Sequence, residues 1–269
     1  MSAGLRLAFS TLGCPDWSLE RVAEAAREYG YEGVELRLVD GEILAPHPSQ
    51  AERERIRAAL RGLPVAAVDT SIRMAAPEPG WEDDLHGYAE LAVELGSDLL
   101  RVFGGTATPG DDSAIVDHLR RAAEIVGGLG VRVVLETHDD FSSARAVHRV
   151  LDQVREPAVG ALWDFHHPYR MGEEPEEVWD LIGERTLLVH VKDAVRDASE
   201  RTGWKLVLLG EGEVPVRRSL QVVQERGYSG WVTVEWEKKW HPEIPEPEVA
   251  FPQHAELLRR WLSETLPTR

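Results

Sequence analysis

Cysteine is almost missing from this chain of 269 residues: Cys14 stands alone. One thiol can form no internal disulfide and no thiolate metal site, so a reducing cytoplasm is the expected compartment and Cys14 reads as a small apolar filler. Long apolar runs are missing too, with nothing near the roughly 18 residues that a membrane helix needs. The opening MSAGLRLAFSTLGCPDW has too short an apolar stretch and too weak a flank for a secretory signal. Basic residues are scarce, 30 Lys and Arg against 47 Asp and Glu, for a formal charge of −17. Duplex binding needs a basic footprint that releases counterions from phosphate, so nucleic acid is an unfavoured partner. A small sugar and a divalent cation remain compatible with such a field. No Gly/Ser-rich linker or low-complexity segment divides the chain, which predicts a single domain over 1–269.

What the chain does have is alternation. Short β-branched runs at 5–10, 33–38, 65–70, 98–103, 131–136, 159–164, 186–192 and 231–235 predict strands. Segments with helical spacing follow them at 19–29, 50–60, 81–95, 113–128, 144–154, 175–182, 217–226 and 253–262. Ser18 and Ser49 stand where N-caps belong, and Gly30, Gly62, Gly96, Gly130, Gly183 and Gly227 fall near helix ends. Repeated strand–helix units over the whole length predict a closed (β/α)8 TIM barrel of the α/β class rather than a doubly wound sheet. The first predicted turn, Ser10-Thr11-Leu12-Gly13-Cys14-Pro15, has neither GxGxxG nor a P-loop, which argues against a nucleotide cofactor. Two insertions, 194–212 and 238–252, follow strand ends and are expected as loops around the barrel mouth.

In such a barrel the C-terminal strand ends form one ring. Four of them read Leu135-Glu136-Thr137-His138, Trp163-Asp164-Phe165-His166-His167-Pro168, Val189-His190-Val191-Lys192 and Val234-Glu235-Trp236. Glu136, Asp164, His190 and Glu235 are thus equivalent positions on successive strands, three carboxylates and one imidazole facing a common axis. Buried together without a cation they would repel and be poorly solvated, so a divalent ion is expected there. Three oxygen donors and one nitrogen favour Mn²⁺, Mg²⁺ or Co²⁺ over a structural zinc, with zinc remaining compatible.

These residues resemble the xylose-isomerase-like TIM barrels, also described as sugar phosphate isomerases/epimerases, and in particular the one-metal branch with ketose 3-epimerases and hydroxypyruvate isomerases. The resemblance covers essentially the whole chain. It implies metal ligation by Glu136, Asp164, His190 and Glu235, and proton transfer by Glu136 and Glu235 from opposite faces of a ketose or related α-hydroxy carbonyl through an enediolate. It also implies that His167, three residues after the metal Asp, and Arg196, six after the metal His, grip substrate oxygens. His166 is then expected to point away. Lys192 should share the face of His190 and steady an anionic intermediate. Leu209-Gly210-Glu211-Gly212 resembles the family's Gly-x-Gly segment. Glu35, Arg37, Arg101 and His138 are further candidates for the pocket wall or for purely structural roles, and the loop residues Trp17, Trp204 and Trp240 for an aromatic wall or for core or interface packing. Related members expel a β-hydroxyl instead of returning the proton, as inosose and dehydroshikimate dehydratases do, and a non-catalytic sugar-binding barrel is a third reading. A trinuclear zinc site like that of endonuclease IV is disfavoured, because the third strand and the 194–212 insertion carry no histidine. Homodimers or homotetramers are the assemblies that the resemblance implies.

Overall fold

The eight predicted strands are all present in the computed structural model of the protein, which describes residues 4–264. In chain order the strands are β1 (Arg6–Ser10), β2 (Gly33–Leu36), β3 (Leu38–Val39), β4 (Glu42–Ile43), β5 (Val65–Arg73), β6 (Leu99–Phe103), β7 (Arg132–Glu136), β8 (Val159–Asp164), β9 (Thr186–Val191), β10 (Asp193–Arg196), β11 (Trp204–Val207) and β12 (Trp231–Val234). The helices are α1 (Leu19–Tyr29), α2 (Gln50–Leu60), α3 (Trp81–Leu95), α4 (Ser113–Gly127), α5 (Ala144–Leu151), α6 (His166–Arg170), α7 (Pro175–Ile182), α8 (Val216–Glu225) and α9 (Pro247–Ser263). A parallel sheet in the order β1-β12-β9-β8-β7-β6-β5-β2 closes on itself, which makes the fold a (β/α)8 barrel.

Its strands read as nearly continuous apolar runs because both faces are covered. Every residue of β8 and of β12 is buried. One face packs under the helices in the main core; the other points into the barrel, where Ala8, Ala67, Leu99, Val134, Leu162, Leu188 and Trp231 form a separate apolar floor. Gly33 completes that floor, since a Cβ there would come within 2.7 Å of the Trp231 ring. Side chains alternate along a strand, so the residues two positions further on form the next layer up. Those are Glu35, Asp69, Arg101, Glu136, Asp164, His190 and Thr233, all buried. An apolar floor and a charged upper layer follow from one two-residue period.

Helix termini largely obey the sequence. Ser18 Oγ accepts from Arg21 N, and Ser49 with Glu52 forms a reciprocal capping box. Gly183 departs from expectation: its φ of −58° continues right-handed into a short 3-10 turn. Three larger departures lie in the segments that follow strands. The second predicted strand breaks after Leu36, and β3 and β4 form a small antiparallel ribbon. The 194–212 insertion contains a hairpin rather than only a loop, with β10 and β11 pairing Arg196 to Trp204. The final helix begins at Pro247, earlier than the predicted 253, because proline is tolerated at the first helical position and Pro252 further in forfeits only one bond. The remaining 238–246 segment is gathered around buried Lys238, whose Nζ donates to Pro242 O, Ile244 O and Glu246 Oε1 at 2.7–2.8 Å.

Candidate metal centre and active-site cavity

The barrel register brings the four predicted ligands together. Asp164 and His190 are direct partners on β8 and β9, while Glu136 ends β7 and Glu235 follows β12. One donor atom from each of Glu136, Asp164, His190 and Glu235 lies within 4.8 Å of the others, and all four residues are buried. Each side chain is aimed by a neighbour. Asp164 Oδ1 accepts from the amides of His166 and His167 at 2.8 and 3.2 Å, capping the short α6 and leaving Oδ2 for the centre. His190 Nε2 donates to Glu35 Oε1 at 2.7 Å, so Nδ1 faces Glu136 Oε1 at 3.7 Å and Glu235 Oε2 at 3.5 Å. Arg101 lies between Asp69 and Glu136, 3.3 and 3.5 Å away. Its charge braces the Glu136 carboxylate from behind.

Several inward atoms have no hydrogen-bond partner: both oxygens of Glu136, Oδ2 of Asp164 and Nδ1 of His190. Orphaned buried polar atoms are costly, and a group of donors converging on one point is what a divalent cation would satisfy. The donor set therefore fits the ion that the sequence implied. Lys192 supplies part of the balancing charge, as its Nζ lies 2.5 Å from Glu235 Oε2, 2.6 Å from Glu237 Oε1 and 3.0 Å from Asp164 Oδ2.

The charges set the protonation states. Burial pushes the Glu235 carboxyl up, but Lys192 and His190 outweigh it and hold it well below the usual range. Burial and Glu235 likewise raise Glu136, but the His190, Arg101 and His138 interactions leave it lowered. Burial dominates at the two adjacent imidazoles: His166 is pushed down to about 3 and His167 well below its ordinary value, with Lys192 adding to both. Both rings are neutral at pH 7.

Above the centre opens a cavity of about 540 Å³. Its wall includes His138, His166, His167, Trp204, Trp240 and Glu237, with Glu235 at the base. His167 lies on this cavity wall. His166 corrects the expectation that it turns away: it lines the same wall and stacks on His167 with ring centroids 5.4 Å apart. None of the four ring nitrogens of this pair has a partner. Arg196 is a second correction. Its side chain is 73% exposed, pairs with Glu213 and lies over the Trp204 ring, outside the cavity lining. The chain leaves β9 into a hairpin at that point, and Trp204 rather than Arg196 faces the cavity. Trp17 is not on that wall but packed in the core, with Nε1 donating to Glu248.

The model of the xylose isomerase-like TIM barrel family matches residues 23–261. The chain belongs to that family. Among its relatives, a fructoselysine 3-epimerase of Shigella flexneri is 23% identical, the match covering 94% of this chain and 97% of that enzyme. An inosose dehydratase of Geobacillus kaustophilus is 29% identical over 54% of this chain, and the match spans about half (49%) of that enzyme. A crystal structure of the IOLI protein with a bound zinc atom superimposes with a TM-score of 0.77 at 17% identity, over 96% of this chain and 98% of that one.

In this family barrel the sequence reading missed residues that act behind the ligands. Glu35 and Arg101 were only pocket candidates, yet they brace His190 and Glu136 directly. Asp69, which holds Arg101 from the other side, was not among the candidates. All three lie on the inward two-residue period above the apolar floor, which was the signal available. Arg170, Arg201 and Glu237, also on the cavity wall, lie beyond barrel-strand ends, and Arg73 ends β5 past a shift in its register, so the period gives no guidance at any of them.

Proposed function

We propose that this xylose isomerase-like barrel is a divalent-metal-dependent isomerase or epimerase of a small ketose or related α-hydroxy carbonyl, with Glu136 and Glu235 carrying the proton. The observation that carries the reading is the buried convergence of Glu136, Asp164, His190 and Glu235, with orphaned donor atoms, at the base of a cavity large enough for a sugar. Those four residues would hold the ion, with Mn²⁺ favoured by the oxygen-rich donor set. When bound, a divalent ion supplies positive charge beside a carbonyl and hydroxyl oxygen, which lowers the barrier to loss of the α-proton.

The chain's own residues do the rest. Glu136 and Glu235 are both held ionised, and neither oxygen of Glu136 is tied up by a hydrogen bond, which suits a proton acceptor. Glu235 is gripped by Lys192, and the ammonium group also stands ready to balance negative charge developing on the substrate. Neutral His166 and His167 offer ring nitrogens to hydroxyl groups. The indoles of Trp204 and Trp240 narrow the cavity against water. A second reading, dehydration of a keto-cyclitol or keto-sugar, is favoured by the local likeness to an inosose dehydratase; the same proton abstraction would be followed by loss of a β-hydroxyl.

The test is proton exchange. Candidate ketoses and keto-cyclitols are incubated with the Mn²⁺-loaded protein in D2O and followed by NMR. Deuterium at the α-carbon with a new epimer or isomer supports the first reading, and an unsaturated product the second. Exchange that survives Glu136→Gln and Glu235→Gln together, in protein shown to retain metal, overturns the assignment of both bases. No exchange across the panel despite bound metal favours a binding protein.

A further inference from the structure

The cavity holds positive charge that the proposed reaction does not use. Elsewhere the part-buried arginines are satisfied, either by carboxylates, as Arg53 is by Glu94, or by several backbone carbonyls, as Arg185 is. Four arginines on the cavity wall differ. Arg37, Arg73, Arg170 and Arg201 have no carboxylate within 4.0 Å among the described residues, although acidic residues exceed basic ones by 47 to 30.

Arg37 is the most telling of them. It is 6% exposed, faces the cavity, and its guanidinium donates only to Ser71 Oγ at 2.9 Å. A buried guanidinium without a counter-ion is costly, so an unpaired one facing an open cavity points to an anion that completes it. Arg170 similarly has only Ser142 Oγ, at 3.1 Å, and Arg73 and Arg201 stand at the exposed rim. Of the carboxylates on the same wall, Asp139 is paired with His138 at 2.9 Å, Glu237 is paired with Lys192 at 2.6 Å, and Glu235 belongs to the ligand cluster. Glu200 alone is left against four guanidinium groups. A net charge of −17 repels anions at long range, so capturing one here requires such local groups.

From this pattern we infer that the substrate carries an oxyanion, a carboxylate or a phosphate, which the cavity arginines, Arg37 foremost, hold. The inference rests on the reading of the cavity as a sugar site, and it narrows that site from neutral ketoses to sugar acids or sugar phosphates. Guanidinium pairs bind both oxyanions through two parallel hydrogen bonds, so geometry alone is shared between the two.

The experiment is a binding comparison on Mg²⁺-loaded protein, read by intrinsic tryptophan fluorescence because Trp204 and Trp240 line the cavity, with D-fructose, D-fructose 6-phosphate and 2-keto-D-gluconate as probes. One or both anions should bind about tenfold to a hundredfold tighter than fructose, the worth of one or two charge-assisted contacts. The tighter anion identifies the group. Arg37→Gln, Arg73→Gln and Arg201→Gln should each weaken anion binding severalfold more than fructose binding, and the surface variant Arg57→Gln should leave the preference intact. Thermal melts confirm that Arg37→Gln is folded, and the two rim variants test the idea independently of it. Equal binding of neutral and anionic sugars, no binding of either anion, or a preference that persists in all three cavity variants overturns the inference. Deuterium exchange reports on the proposed reaction separately: exchange without anion preference leaves the reaction standing and sinks this inference, and preference without exchange does the reverse.

Discussion

Replacing Glu35 is the sharpest test of how the metal centre is built, because Glu35 is not itself one of the four converging ligands. Its Oε1 accepts from His190 Nε2 at 2.7 Å, and both side chains are fully buried. That bond fixes the tautomer and leaves Nδ1 to face the other ligands. In Glu35→Gln an acceptor oxygen survives but its charge is lost. A charge-assisted bond is worth about 1.5–3 kcal/mol against about 1 for a neutral one, so about 1–2 kcal/mol of support disappears. Loss of such support behind a ligating histidine weakens metal binding by about 10–100-fold, and the glutamine variant belongs at the lower end. Glu35→Ala also strands a buried N–H, adding about 1–3 kcal/mol, and belongs at the upper end or beyond. The assay is Mn²⁺ titration followed by the EPR signal of free ion, with thermal melts of the stripped proteins to verify folding. Unchanged Mn²⁺ affinity in both folded variants would refute the reasoning. It would mean that Nδ1 is not the ligand atom, or that the ring needs no brace.

Two further outcomes test parts of the fold that frame the site. His254, buried in α9, is pushed down to about 4 chiefly by burial, so it stays neutral in the folded chain where the unfolded chain is protonated. The unfolded state then binds the extra proton, stability falls as pH drops from 6.5 towards 4, and the full span is worth about 3 kcal/mol; His254→Leu should flatten urea-unfolding free energies over that range, and an unaltered slope counts against the effect. Asp193 accepts from the amides of Ala194, Gly210, Gly212 and Val214, so Asp193→Ala should cost about 2–4 kcal/mol and speed hydrogen exchange at Gly210, Gly212 and Val214. Exchange no faster than in the parent protein would show that the turn holds itself.

The barrel was legible because its strands and helices differ in length and period. Strands buried on both faces keep Val, Leu and Ala at almost every position, and the helices between them begin at residues such as Ser49 whose side chains cap them. The ligand set was legible for a related reason: Glu136, Asp164 and His190 sit on the inward face of regular strands, where the chain path decides side-chain direction. Glu35, Asp69 and Arg101 were equally visible on that face, but a residue that only braces a ligand has no spacing of its own to mark it. The α9 start was obscured because Pro252 reads as a boundary, whereas the packing of Phe251 and Ala250 in the core outweighs one missing bond.

Beyond the strand ends the same reasoning loses its basis, as Lys192 and Arg196 show. Lys192 lies one residue past β9, still in register with His190, and its ammonium reaches Asp164 and Glu235 as alternation requires. By Arg196 the chain has turned into the β10–β11 hairpin, where pairing with Trp204 and a salt bridge to Glu213 set its direction. Asp193 fixes that turn by collecting amides from across the loop. The space is so tight that a Cβ on Gly212 would come within 1.9 Å of Asp193 Oδ1, which accounts for glycine in the Leu209-Gly210-Glu211-Gly212 segment. Spacing from a ligand therefore locates a side chain only while the backbone keeps the strand's period. Past that point, hydrogen bonds made by residues far along the chain decide which side chains meet a substrate, and they place Trp204 and His166 on the wall in place of Arg196.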